Sequence, residues 1–350
     1  MAEQVAPVAQ IVSALVMRLL VLGGTGWLGG CIASMAVVSG HQVTCLARGK
    51  SGAVPDGATL VTADRTQPGA CDQVSNQDWD VVMDVSSQPG QVKSAVAALA
   101  DRAGFYGYVS TCSVYADNAT MGQDESGALL PSLDGDVMES LQTYGQAKVA
   151  CEQHVRRAFG PERALIARAG LIGGPGDASD RTGYWPLRFA RPAGENGAVL
   201  VPDAPQNGTQ VIDVRDLAEW LLAASTRSVA GVFNTTGATV PLSEHIDAAR
   251  TVSGHTGPVV RADSQWLLDQ GVQEWAGARS LPLWVADPEW QGFGTRDSSK
   301  ARAAGLRTRP LEQTLSDTLA WELTRDHSDA RKAGLSDDDE RTLLETLARI

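Results

Sequence analysis

The chain has 350 residues, 43% of them hydrophobic, enough to bury one large domain or two modest ones, which excludes disorder of the whole. A formal net charge of −12 speaks against a nucleic-acid surface, because affinity for that polymer comes largely from Lys and Arg neutralising phosphates. Five cysteines without a Cys-x-x-Cys pair are the usage of a reducing compartment, and five scattered histidines offer no metal-ligand spacing.

Residues 1–16 are faintly apolar from Val5 to Val16, but Glu3, Pro7 and Gln10 interrupt the run and no basic leader precedes it. They read as an extension outside the fold, neither signal nor membrane span, and a cytoplasmic protein is expected. From Met17 the chain alternates short apolar runs with helical stretches. Arg18–Leu22, Gln42–Ala47, Ala58–Ala63, Asp80–Val85, Gly107–Thr111 and Ala164–Ala169 predict strands, and their near-continuous apolar character suits a parallel sheet covered on both faces. Trp27–Val38, Val92–Ala103 and Val137–Ala158 predict the helices between them. The order predicts a doubly wound α/β fold.

After Gly170 a turn cluster, Gly173-Gly-Pro-Gly-Asp177, leads into an irregular stretch, then Val211–Trp220 returns as a strand running into a helix, and Val232–Thr235 adds another strand. Five of the nine tryptophans lie from Trp266 onward, and Ser336 with Asp339 three residues on has the spacing of a capped last helix. Residues 17–180 and 207–240 are expected to form the Rossmann-type NAD(P)-binding domain. Residues 181–206 and 241–350 would form a smaller substrate-binding part.

Gly23, Gly26 and Gly29 sit between the first strand and its helix, where small residues let backbone approach a pyrophosphate at a helix N-terminus. Trp27 and Leu28 complete that turn. The second strand ends at Arg48, with Lys50 beside it and no acidic residue to hold a ribose 2′-hydroxyl, which favours NADP(H) over NAD(H). Asp64 and Arg65 are expected to flank the adenine, and Val85 and Ser86 to line the cofactor cleft. Tyr144 and Lys148, four apart on one helix face, form a proton-transfer pair in which the ammonium favours the ionised phenol.

Gly23-x-x-Gly-x-x-Gly29, Tyr108-Val-Ser-Thr-Cys-Ser-Val-Tyr115 and Tyr144-x-x-x-Lys148, in that order, resemble the extended short-chain dehydrogenase/reductases, the NAD-dependent epimerase/dehydratase group. The similarity extends from Met17 to about Leu335 and is closest to bacterial members described as reductases. It implies that Thr111, or Ser113 beside it, bonds the substrate oxygen, that Tyr144 is the acid/base and that Lys148 holds the nicotinamide ribose. It also implies cofactor contacts at Gly170 and Leu171, and a homodimer.

Two departures from the family pattern bear on the substrate. Gly170 fills a slot where nucleotide-sugar enzymes carry Asn, and Thr209-Gln-Val-Ile-Asp-Val214 replaces an Arg-Asp-aromatic-Ile-His-Val stretch. Each lost charged hydrogen bond to a diphosphate is worth roughly 1.5 to 3 kcal/mol. Arg181, Tyr184, Trp185, Arg188 and Arg215, with the later tryptophans, then suggest a largely apolar pocket with one or two anion-binding arginines. The expected activity is an NADP(H)-dependent oxidoreductase acting on a small non-nucleotide carbonyl or alcohol. The alternatives are an epimerase or dehydratase that retains its cofactor, and a non-catalytic nucleotide- or RNA-binding relative.

Overall fold

The computed structural model describes residues 16–327 and 330–349, so the expected N-terminal extension lies, as far as residue 15, outside the described residues. Strand β1 (Arg18–Leu22) enters helix α1 (Trp27–Val38) through the glycine turn. Then follow β2 (Gln42–Ala47), β3 (Thr59–Thr62), β4 (Trp79–Asp84), α2 (Pro89–Leu99), β5 (Ala103–Thr111), α3 (Tyr144–Phe159) and β6 (Ala164–Ala169). After these come β7 (Leu171–Gly173), α4 (Arg181–Ala190), β8 (Val199–Asp203), β9 (Gly208–Asp213), α5 (Val214–Thr226) and β10 (Gly231–Thr235).

Seven strands form one sheet in the order β10-β6-β5-β4-β1-β2-β3, with every neighbouring pair parallel. Side chains alternate across a strand, so β1 serves both faces. Leu19 and Val21 pack with Ile32 and Ala36 of α1 and Leu217 and Leu221 of α5. Leu20 and Leu22 join the opposite core with Val92 and Val96 of α2 and Cys151 and Val155 of α3. The chain reverses direction across the sheet at β1, which is paired with both β2 and β4, and in such sheets ligands bind at the carboxyl ends of the strands beside that reversal.

The remainder comprises β11 (Thr239–Pro241), α6 (Leu242–Ser253), β12 (Val259–Asp263), α7 (Ser264–Asp269), β13 (Gln273–Glu274), β14 (Ser280–Leu281), α8 (Ser299–Ala303), α9 (Leu311–Glu322) and α10 (Asp337–Leu347). Strand β12 pairs with β8, and Trp185, Phe189, Leu200, Ile246, Trp284, Leu315 and Leu343 belong to a third core. Ser336 caps α10 as its spacing predicts, its hydroxyl accepting from the Asp339 amide at 3.1 Å.

The bounds of both α3 and α2 differ from the expected ones, and β5 begins at Ala103 rather than Gly107. The helix expected from Val137 begins at Tyr144, because the preceding segment is tied to the start of α2: Met138 N–H donates to Gln88 Oε1 at 2.7 Å and Gly90 N–H to Asp136 O at 2.8 Å. Helix α2 runs from Pro89 to Leu99 rather than from Val92 to Ala103, since Ala103 is drawn into β5 opposite Trp79. No helix among the described residues is long and apolar enough to cross a membrane.

Candidate active site

The three glycines of the first turn have separate jobs. Gly23 has φ +95°, a left-handed conformation that favours glycine, and a Cβ on Gly29 would lie 2.3 Å from Gly23 O, so glycine there lets α1 press onto the turn. A Cβ on Gly26 would meet only Gly23 O, at an ordinary 3.4 Å, and its open side faces the cleft. No side chain caps α1 at Gly26, which leaves its first amides free for an anion. A dinucleotide pyrophosphate fits this cradle.

That cleft, of about 780 Å³, is lined by Gly23, Gly26, Arg48, Lys50, Asp64, Arg65, Val85 and Ser86, so residues from four strand ends meet as the sequence predicts. Trp27 stands at its edge and donates its indole N–H to Pro175 O at 2.8 Å, while Leu28 turns into the core. Arg48 and Lys50 are exposed and form no ion pair among the described residues. Asp64 accepts from the amide and hydroxyl of Thr66, bonds that hold its carboxyl below its usual range with a smaller contribution from Arg48 and Lys50.

Arg65 lines the cleft with its guanidinium already engaged: it pairs with buried Asp84 at 3.1 Å, bonds Ser86 Oγ, and donates to Gln91 O at 2.7 Å. Burial alone would raise the Asp84 pKa; Arg65, Ser86 and Tyr106 more than offset it and hold the carboxyl low. The pair fixes the Asp84–Ser86 strand end.

Tyr144 is the first residue of α3, and Gly145 explains how it reaches the sheet. A Cβ there would lie 2.2 Å from Ser113 O, so glycine lets α3 press against the turn that follows β5. A buried ion pair, Arg168 to Glu152 at 2.8 Å, with Ser110 Oγ donating to Glu152 at 2.5 Å, locks α3 to β5 and β6. Thr111 Oγ1 donates to Ser113 Oγ at 3.2 Å and accepts from Ser113 N–H at 3.1 Å. Burial raises the Tyr144 pKa, and the Thr111 hydroxyl and the Arg181 charge pull it partly back.

Lys148 lies one turn further along α3 and is buried. Its buried ammonium donates to Ser86 O at 2.9 Å and Val109 O at 2.5 Å and lies 4.5 Å from the Tyr108 ring centre, with burial lowering its pKa to about 8.

Among the residues expected to bind substrate, the structure separates one from four. Arg181 lies over the Trp275 ring at 5.4 Å, is held by Ser179 Oγ at 3.1 Å, and forms no ion pair among the described residues. Trp185 and Tyr184 are instead buried in the third core, the Trp185 indole bonded to Pro282 O at 2.9 Å. Arg188 is spent on Asp337 at 2.7 Å, Glu340 at 2.8 Å and Leu335 O, and Arg215 on Asp213 at 2.7 Å and Asp317 at 2.8 Å. These four line neither the cleft nor the pocket beside Tyr144, because the third core takes the two aromatic rings and carboxylates take the two arginines, Asp337 and Glu340 from far along the chain.

Beside Tyr144 and Ser113 opens a second pocket of about 750 Å³, whose far wall is Glu274, Trp275, Val285, Asp287, Trp290 and Phe293. Gly170 and Leu171 line a narrower recess that shares Trp275, Val285, Trp290 and Phe293 with it. Trp290 and Phe293 were not legible as site residues; the concentration of tryptophan after Trp266 was the only signal. Trp284, in that same run, went to the core.

The family model described as "NAD dependent epimerase/dehydratase family" matches residues 19–235. The chain belongs to that family. Its sheet, glycine turn and Tyr144–Lys148 helix all lie within the matched residues. The chain is similar to a 2′-dehydrokanamycin reductase of Streptomyces kanamyceticus, 29% identical over 160 residues, 45% of this chain and 43% of that protein. It therefore spans less than half the length of that curated relative. Among solved structures, UDP-N-acetylglucosamine 4-epimerase from Bacillus cereus superposes with a TM-score of 0.63 at 18% identity, covering 90% of this chain and 99% of that one. The enzyme WbmG of Bordetella bronchiseptica, solved with NAD, gives 0.62 at 18% identity, covering 89% and 95%. At such identities the likeness establishes the fold.

Proposed function

We propose that this protein is an NADP(H)-dependent oxidoreductase that reduces a carbonyl, or oxidises the matching alcohol, on a small non-nucleotide substrate. The observation that carries the reading is that Tyr144 and Ser113 line one pocket, with the Thr111 hydroxyl bonded to Ser113, in a fold whose glycine-turn cleft is lined by the exposed cations Arg48 and Lys50. The nicotinamide would supply the hydride. Thr111 and Ser113 orient the substrate oxygen, Tyr144 delivers the proton to it, and Arg181 favours the phenolate left behind. Lys148, whose ammonium now bonds Ser86 O and Val109 O, would hold the nicotinamide ribose. The exposed pair Arg48 and Lys50 suits a 2′-phosphate, and the similarity to a reductase supports net reduction over epimerisation.

The test is thermal stabilisation by NADPH against NADH, followed by cofactor oxidation with a carbonyl panel. NADPH should stabilise more and be consumed stoichiometrically. Conversion of substrate with unchanged bulk cofactor would support an epimerase instead. Tyr144→Phe should lower kcat/KM by about 10²- to 10⁴-fold with the melting temperature preserved.

A further inference from the structure

The pocket beside Tyr144 has a chemical character of its own. No lysine or arginine lines it, whereas two carboxylates, Glu274 and Asp287, do, and opposite Tyr115 and Tyr144 stand three further aromatic rings, Trp275, Trp290 and Phe293. The rings form a continuous wall: Trp275 and Trp290 each meet Phe293 edge-on, at 5.4 and 5.9 Å between centres. Trp275 holds φ +65°, a left-handed backbone unusual for a bulky residue, and strain of this kind persists where the surroundings impose it and clusters at ligand sites. Trp290 is 48% exposed, an apolar face left without a protein partner over much of its area.

The carboxylates are anchored but not neutralised. Glu274 Oε1 accepts from the amides of Ala286 and Asp287, and Asp287 Oδ1 accepts from the Glu289 amide at 2.9 Å. Neither forms an ion pair among the described residues. An aromatic wall with fixed negative charge binds an organic cation, through ring quadrupoles and carboxylates together, and repels a diphosphate.

We propose that this pocket selects a cationic, amine-bearing carbonyl substrate, its ammonium seated against Trp290 and Phe293 and facing Glu274 and Asp287. This rests on the reading of the site as a carbonyl reductase. Arg181 already lies over Trp275, 5.4 Å from the ring centre, so the ammonium takes the Trp290–Phe293 end of the wall, where no cation is stacked among the described residues.

Three ketones of one skeleton test it: 4-(dimethylamino)cyclohexanone, the isosteric neutral 4-isopropylcyclohexanone and anionic 4-oxocyclohexanecarboxylate, each assayed for NADPH oxidation. The cation should be favoured over its neutral isostere by about tenfold in kcat/KM, and the anion should be the poorest. The double variant Glu274→Gln, Asp287→Asn keeps the oxygens that accept from Ala286, Asp287 and Glu289, so the wall should stay built while its charge is lost. The preference should then shrink to within about threefold, as cation–π attraction alone predicts. Equal turnover of cation and neutral ketone, or a preference unaltered in the variant, overturns the inference and leaves the reductase reading standing. A binding arm stands apart from turnover: N,N-dimethylcyclohexylamine should quench tryptophan fluorescence saturably and cyclohexanecarboxylate should not. If no ketone is reduced but the amine still binds, the reductase reading fails and the cation site holds; if the carboxylate binds as well as the amine, the cation site fails.

Discussion

Two sets of arginines are used in opposite ways. In the cleft beside the glycine turn Arg48 stands in solvent with Lys50 and forms no ion pair among the described residues, although its neighbour Arg65 is taken by Asp84. Away from the pocket beside Tyr144, Arg188 and Arg215 are each gripped by two carboxylates, whereas Arg181 forms no ion pair among the described residues. An arginine's presence near a site therefore carries little information by itself. What decides its role is whether a buried carboxylate has already taken it, since a paired guanidinium has neither charge nor donors to spare.

The largest effect that would break this comparison is at Arg188. Replacing it with Met strands Glu340, whose pKa burial already raises against the pull of Arg188, and should destabilise the protein by about 3 to 5 kcal/mol in urea unfolding. A loss below about 1 kcal/mol would mean that Arg188 is free to meet a ligand after all.

Lys148 sharpens the same point from the side of an unpaired buried cation. Its pKa falls from 10.5 in the unfolded chain to about 8 in the fold, so the folded state binds fewer protons between those values. The group's contribution to stability is complete above about pH 10.5 and lost as pH falls through about 8. Cofactor-free protein should therefore gain stability across that window, on the order of 3 kcal/mol from this residue, and Lys148→Met should abolish that part of the rise.

At the cofactor end, Arg48→Ala should raise KM for NADPH about tenfold, leave KM for NADH nearly unchanged and not alter the urea midpoint. Parallel rises for both cofactors would remove the argument for a 2′-phosphate. The smallest effect is expected at Arg181. Its removal disfavours the Tyr144 phenolate, so with Arg181→Met the alkaline rise of the oxidation rate should move to higher pH, by up to about one pH unit. An unshifted profile would return the tuning of Tyr144 to Lys148 and the bound cofactor.

Much of the frame was readable because its signals are local. Continuous apolar runs marked the parallel strands of the sheet, the glycine triplet marked the turn before α1, and Ser336 marked the start of α10. Tyr144 and Lys148 fall on one helix through spacing alone, and their approach to Thr111 follows from the order of β5 and α3. Helix boundaries were less legible where a side chain from elsewhere, such as Gln88 on Met138, took the backbone groups that a helix would have used.

The sequence by itself thus determined the parallel sheet, the glycine turn and the placing of Tyr144 and Lys148 on one helix, since period, turn chemistry and i,i+4 spacing act over a few residues. Only the tertiary structure decided which cations are free and what faces the substrate. Arg188 meets Asp337 across 149 positions of sequence, Arg65 is taken by Asp84, and the wall of Glu274, Trp275 and Trp290 is brought opposite Tyr144 by the folding of the last third of the chain. Electrostatic pairing and pocket walls depend on distances in space, which no local pattern encodes.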